Sequence, residues 1–167
     1  MLETSMKWVR SVLHRPYLSL ALRLLVGGVL VFSAVTKLPL HSQFVGVVEG
    51  YNLLPGPLAE AYALALPWVE LLVGVYLVLG ILLRPSAAVT ILMGISFTVA
   101  NVSAIIQGEQ FCASCFGEAF PLLVSQALTL DILIIIAALL LLLAGGREQL
   151  LGLDGWFARK TASRAQE

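Results

Sequence analysis

The stretch LLVGVYLVLGILLRPSAAVTILMG, residues 71–94, decides the fold. It holds two apolar runs separated by Arg-Pro-Ser, in which Arg84 is charged and Pro85 disfavours helix at the residue before it. Each run continues outward far enough to cross a bilayer, which takes roughly 20 helical residues. The stretch therefore predicts two membrane-spanning helices joined by a tight hairpin.

The composition of the whole chain agrees with a membrane protein. The 167 residues are 59% hydrophobic and 12% charged, and the mean hydropathy is +0.95. Such a chain has too little polar surface to cover a water-soluble globule. The formal net charge is zero, so the chain lacks the basic excess that nucleic-acid binding requires, and we exclude nucleic acid as a partner.

Four segments are long and apolar enough to be spans, and they are predicted at 17–35, 58–83, 86–107 and 122–144. We expect an all-α, integral membrane four-helix bundle over residues 17–146, with tails at 1–16 and 147–167. The second tail mixes apolar and basic residues and is predicted to be amphipathic. The first span could instead be a signal peptide, but it exceeds the usual core of roughly 7 to 15 residues, so we expect it to be retained.

The distribution of Lys and Arg predicts the orientation of the bundle. With both tails and the 84–86 hairpin on one side, eight of the basic residues outside the spans lie there, against Lys37 alone on the other side. Cytoplasmic segments carry the excess of Lys and Arg. We therefore expect both termini in the cytoplasm, and both long loops on the outer side of the cytoplasmic membrane.

The two cysteines, Cys112 and Cys115, form a CxxC pair in the second of these outer loops. An outer location is oxidising and permits a disulfide. The loop precedes the fourth span, whose early amides could stabilise a thiolate. Three interpretations stay open: redox-active thiols, a purely structural disulfide, or part of a metal site. The metal interpretation is the weakest, because His41 is the only histidine expected on that side and structural zinc needs about four N or S ligands.

Ionisable groups inside the spans are candidates for a site, because they cost several kcal/mol unless paired. At a rise of about 1.5 Å per residue, Arg23 and Glu70 both lie roughly 18 Å below the outer ends of their spans, and Asp131 lies about 13 Å below. We expect a central polar cluster in which Arg23 serves both carboxylates, or in which one of them is protonated. Asn101 in the third span could add a hydrogen bond.

A second ion pair is predicted nearer the outer loops, between Lys37 and Glu60, which fall at similar depths. Two roles for the intramembrane charges stay open. They fix which helix packs on which, or they form a proton path or the wall of a quinone site that serves the cysteines. On the second interpretation the cofactor-binding residues are Arg23, Glu70, Asn101 and Asp131. Close contacts between helices are expected at the glycines at 27, 28, 74, 80 and 94.

The sequence resembles the DoxX-like superfamily of four-helix membrane proteins, and within it the MauE branch. The resemblance rests on RLLVGGVLVFSAVTKL at 23–38, LPWVELLVGVYLVLG at 66–80, CASCFGE at 112–118 and LDILIIIAALLLLL at 130–143. Two departures are CASCFG, where the branch typically has CGCFG, and Leu130, where an arginine is common. The positions that match the family's pattern are Arg23, Lys37, Glu70, Cys112, Cys115, Phe116, Gly117 and Asp131.

The resemblance implies thiol or disulfide chemistry outside the cytoplasmic membrane. MauE-like proteins are associated with methylamine utilisation and with disulfide maturation of a secreted dehydrogenase subunit, and DoxD relatives belong to thiosulfate:quinone oxidoreductases. Our leading hypothesis is a multi-pass protein in which Cys112 and Cys115 exchange disulfides with an outer partner, and in which the electrons pass on to a quinone or to another protein. The alternative is a non-catalytic small subunit of a respiratory or photosynthetic membrane complex, whose CxxC is a structural disulfide. A transporter is disfavoured, because the chain has no internal repeat.

Overall fold

The computed structural model describes residues 16–112, 115 and 122–144. The predicted tails lie outside these residues, apart from residue 16, and so do the matching positions Phe116 and Gly117.

Four long helices make up the fold and confirm the all-α membrane bundle. They are α1 (Pro16–Lys37), α3 (Gly56–Leu79), α4 (Leu83–Ile106) and α5 (Val124–Ala144). Each contains a segment long and apolar enough to cross a membrane. Large apolar side chains on their outward faces are exposed, among them Leu25, Leu92 and Leu143. Such faces are favourable against hydrocarbon and costly against water.

The hairpin between α3 and α4 falls slightly earlier than the sequence predicts. The helix α3 ends at Leu79, and Gly80 has a φ of 68°, a left-handed conformation that closes helices and that glycine adopts without steric cost. The helix α4 begins at Leu83, so Pro85 lies in its first turn, where a missing N–H removes no helical hydrogen bond. The proline marks the start of a helix rather than the break itself.

The segment between α1 and α3, predicted as a loop, is mostly helical. A short 3₁₀ turn, Leu38–Leu40, leads into α2, His41–Gly50. Phe44 and Val48 of α2 are buried in the same apolar core as Val26 and Leu66 of the long helices. The first span therefore continues as an almost unbroken helical path past its predicted end.

Glycine contacts set the closest helix packing. A Cβ on Gly27 would lie 2.8 Å from the carbonyl oxygen of Gly74, and a Cβ on Gly74 would lie 2.9 Å from that of Gly27, so α1 and α3 touch backbone to backbone. Gly94 of α4 likewise leaves room for Ile135 of α5, whose Cγ1 would lie 2.6 Å from an added Cβ. Gly28 has no atom within 4 Å of an added Cβ, so the prediction of a close contact there is wrong.

The cysteine loop begins and ends in a small antiparallel pairing. The strands β1 (Phe111–Cys112) and β2 (Leu122–Leu123) pair Phe111 with Leu123 and Cys112 with Leu122. The Val124 N–H donates to the Gln110 carbonyl at 3.0 Å. Since β2 runs directly into α5, this pairing holds the cysteines over the ends of α4 and α5.

Candidate functional site

The two cysteines are joined as a disulfide, and they differ in exposure. Their Cα atoms lie 5.6 Å apart. Cys112, on β1, is 1% exposed, whereas Cys115 is only partly buried. Cys115 is therefore the more accessible of the two residues.

A serine of α1 connects the disulfide loop to a buried carboxylate. Ser33 Oγ lies 3.0 Å from the carbonyl oxygen of Cys115 and 3.2 Å from Glu70 Oε1. A hydroxyl has one proton to donate, so Ser33 can serve one of these two acceptors at a time. The position of the cysteine loop is thereby linked to the state of the carboxylate below it.

Glu70 forms a fully buried ion pair with Lys37. Lys37 Nζ donates to Glu70 Oε1 at 2.7 Å, and the two side chains are 1% and 0% exposed. The Lys37 ammonium also lies 4.8 Å from the centroid of the Phe97 ring and 5.4 Å from that of Phe44, which are cation–π distances. Removing two charges from water costs several kcal/mol per ion, and good geometry and further contacts are needed to offset it.

A second polar pair lies beside the disulfide and comes from α4 and α5. Asn101 Nδ2 donates to Asp131 Oδ2 at 2.8 Å, and it also lies 3.9 Å from Cys115 Sγ, within reach of a weak hydrogen bond to sulfur. Asn101 is fully buried and Asp131 is 5% exposed. An N–H directed at a sulfur can stabilise negative charge that develops on it during disulfide exchange.

Between these pairs is a small cavity of about 30 Å³, which reaches Ser33, Lys37, Cys115 and Asp131. A water molecule needs roughly 10–15 Å³ of such space and several polar partners. The cavity has the volume for a water molecule, but its surface is mostly apolar, with Val29, Leu30, Phe97, Leu130 and Ile134 among its lining residues. Within the described residues, Glu70 Oε2 and Asn101 Oδ1 are buried acceptors with no hydrogen-bond partner, which is costly and unusual in a purely structural core.

The structure thus brings together Cys112, Cys115, Glu70, Asn101 and Asp131 of the predicted site. Sequence reasoning missed Ser33, Phe97 and the role of Lys37. Lys37 is recognisable as a matching position and as an ionisable group, but its depth along the first span predicts a pair with Glu60 instead of Glu70. Ser33 and Phe97 gave no signal, since serine and phenylalanine are ordinary in membrane helices.

Two predicted ion pairs are wrong. Arg23 Nε donates to the Leu77 carbonyl at 3.1 Å, and a Cβ on Gly80 would collide with the Arg23 guanidinium, so this side chain lies at the α3–α4 turn. It is therefore about two helical turns from the level of Glu70. Lys37 pairs with Glu70, while Glu60 is exposed at the start of α3. The cause is the register, because α1 ends later and α3 begins earlier than predicted.

No group of three or more His, Cys, Asp and Glu side chains in the described part of the chain could hold a metal ion. His41 lies at the start of α2. The groups that the arrangement brings together are the disulfide, a buried amide, two carboxyl groups and an ammonium group.

Comparisons with known proteins agree on one family. The sequence profile described as Methylamine utilisation protein MauE matches residues 15–146. A protein named Methylamine utilization protein MauE from Paracoccus denitrificans is 32% identical over 124 residues, which cover 74% of this chain and 67% of that protein. One of the same name from Methylophilus methylotrophus is 35% identical over 94 residues, which cover 55% of this chain and 50% of that protein.

A third, from Methylorubrum extorquens, is 36% identical over 73 residues, which cover 44% of this chain and 39% of that protein. The chain therefore spans about half or less of the second and third relatives. No solved structure matches the chain. Since the family profile extends over all four long helices and the cysteine loop, the chain belongs to the MauE family of membrane proteins.

Proposed function

We propose that this protein exchanges disulfides across its CxxC pair with a partner on the outer side of the cytoplasmic membrane. A partner thiolate attacks Cys115 Sγ, the more exposed sulfur, and Cys112 leaves as a thiolate. A second partner thiolate then attacks the partner's own sulfur in the mixed disulfide and releases Cys115. The partner gains a disulfide and loses two electrons, and the CxxC pair gains the two electrons and becomes a dithiol.

One observation carries this proposal: side chains from all four long helices converge beneath the disulfide. α1 contributes Ser33 and Lys37, and α3, α4 and α5 contribute Glu70, Asn101 and Asp131. A purely structural disulfide needs no buried polar cluster beside it. A sulfur that becomes a thiolate during exchange is helped by a nearby hydrogen-bond donor and a nearby proton acceptor. Asn101 supplies the donor to Cys115, and Asp131 supplies the carboxyl group on the same small cavity.

The relatives' names indicate the process. They are called methylamine utilization proteins, and we propose that this chain acts in methylamine utilisation too. Disulfide maturation of a secreted dehydrogenase subunit, which the resemblance implies, fits a partner that carries pairs of cysteines. The wider DoxX-like relationship stays a prediction.

The proposed orientation places both termini in the cytoplasm and the CxxC loop outside. After mild reduction of intact cells, a membrane-impermeant maleimide should label Cys115. Labelling only after permeabilisation would contradict this topology.

A trapping experiment tests the exchange itself. In Cys112→Ser, the remaining Cys115 should accumulate a mixed disulfide with its partner, visible after acid quenching on non-reducing gels and identified by mass spectrometry. Cys115→Ser should trap far less, because Cys112 is buried. The double serine variant is the matched control. Absence of a trapped partner in Cys112→Ser, or equal trapping in the two single variants, would contradict the exchange as proposed.

The second candidate is a structural subunit of a larger membrane complex. The hydrogen bond from Ser33 to the Cys115 carbonyl favours this candidate. It fixes the disulfide-closed loop to the helix bundle, and a rigid loop is suited to form a permanent contact surface. On that hypothesis both cysteine variants keep stoichiometric partners in mild detergent, and neither forms mixed disulfides.

A further inference from the structure

A second, much larger cavity lies beside the polar cluster. Its volume is about 440 Å³, and it is formed by α2, α3, α4 and the segment that follows α2. Cavities that bind small molecules usually measure about 300–1,000 Å³ and are mainly apolar, with a few polar groups. Its walls match this description and include Phe44, Tyr51, Tyr62, Leu66, Ser96 and Phe97.

A pair of hydroxyl groups supplies the polar feature. The Tyr62 hydroxyl and Ser96 Oγ lie 2.6 Å apart, and both side chains are partly buried. Their mutual hydrogen bond uses one of the two hydroxyl protons, so the other proton can be donated to a ligand acceptor. An acceptor oxygen on an otherwise apolar molecule fits this wall, whereas a plain acyl chain offers nothing to the donor.

Phe97 is a common wall of the two cavities. On one side it lines the 440 Å³ cavity, and on the other it lines the 30 Å³ cavity that reaches Cys115 and Asp131. The Lys37 ammonium lies behind this ring and behind Phe44, which also lines the larger cavity. A ligand in the larger cavity would therefore be one side chain away from the disulfide site, next to a buried positive charge.

We propose that this cavity binds the head group of a membrane quinone, which reoxidises the CxxC pair. The redox step rests on the proposed function. The Cys112–Cys115 dithiol gives two electrons and two protons to the quinone, two S–H bonds break, one S–S bond forms, and the two quinone oxygens become hydroxyls. Because Phe97 lines both cavities, this ring would have to move for the head group to meet the sulfurs. The head group site thus lies at Tyr62 and Ser96, not at the charged residues that the sequence suggested.

Equilibrium binding of ubiquinone-1 to the full-length protein in lipid nanodiscs tests the site. The wild type should bind saturably at one site. Tyr62→Phe and Ser96→Ala should each weaken binding about two- to tenfold, the usual effect of one hydrogen bond. Ala100→Leu, which fills the cavity, should weaken it at least tenfold. The control Ala65→Leu adds the same side chain to an exposed face of α3 and should bind as the wild type does.

Three results would overturn the site. The first is that ubiquinone-1 does not bind saturably to the wild type. The second is that it binds equally well to the wild type and to all three cavity variants. The third is that an isoprenoid alcohol of the same tail length displaces ubiquinone-1 as well as unlabelled ubiquinone-1 does. The last result would identify an acyl-chain cavity.

The double cysteine-to-serine variant separates this inference from the proposed function, since the cavity contains neither sulfur. Ubiquinone-1 binding that persists in it, without a trapped partner in the single variants, would keep the quinone site and reject the exchange. A trapped partner without ubiquinone-1 binding would keep the disulfide exchange and reject the quinone site.

Discussion

Replacing Lys37 by Met should destabilise the bundle more than any surface change. The substitution keeps the length of the side chain but leaves the Glu70 carboxyl group fully buried without its 2.7 Å partner. Removing one member of a buried ion pair costs about 3–5 kcal/mol. Glu70→Gln should be costly too, because it removes the hydrogen-bonded counter-charge from the Lys37 ammonium, which is packed against two aromatic rings.

The double variant Lys37→Met with Glu70→Gln is the informative one. Neither residue carries a buried charge in the double variant. Its loss of unfolding free energy should therefore be no larger than that of the worse single variant. Independent, additive effects would instead give the sum of the two single losses. Reversible unfolding by SDS in mixed micelles measures all four proteins of this cycle. Additive losses, or a Lys37→Met protein as stable as the wild type, would refute the assignment of a desolvated, coupled pair.

The same cycle separates the two roles that the sequence leaves open for these charges. If the pair only fixes helix packing, the stable double variant should reduce and reoxidise its CxxC at the wild-type rate. We expect a slower rate instead, because Ser33 would lose its charged acceptor at Glu70 and hold the Cys115 loop differently.

Three further predictions concern other residues. Gly27→Ala should cost about 1–3 kcal/mol in the same unfolding assay, since its Cβ would lie 2.8 Å from the α3 backbone, whereas Gly28→Ala should be neutral or slightly stabilising; equal effects would contradict the α1–α3 contact. Asp131→Asn should slow reduction of the disulfide by a test dithiol about 100-fold, if the carboxyl group carries the proton, with little loss of stability; an unchanged rate would exclude that role. Arg23→Met should cost about 1–3 kcal/mol by losing its hydrogen bond to the Leu77 carbonyl but leave the exchange rate unchanged; a matching loss of exchange would place Arg23 in the site after all.

The spans could be predicted from the sequence because the bilayer imposes a length and an apolar composition on each of them. Their ends could not be placed to the residue. Pro85 is expected to break a helix but lies in the first turn of α4. The segment after Lys37 contains proline and glycine, yet most of it folds as helix. In both cases the local signal is ambiguous and tertiary packing decides.

The members of the site were easier to predict than their pairing. Glu70, Asn101 and Asp131 were identifiable because polar groups inside apolar helices are rare. Which cation meets Glu70 depends on the vertical register of α1 against α3. That register is set by the contact of Gly27 with Gly74 and by the late end of α1, and neither is encoded in the depth of a residue along its own helix.

The order of synthesis gives the Lys37–Glu70 pair a consequence for biogenesis. Lys37 precedes Glu70 by 33 residues in the chain, and Asn101 and Asp131 follow later still. A nascent chain that has inserted only α1 therefore holds an uncompensated cation, and each later helix neutralises or solvates part of what the earlier ones left exposed. A truncated or wrongly inserted product keeps the Lys37 charge without its Glu70 partner. Only the complete bundle brings Lys37, Glu70, Asn101 and Asp131 together.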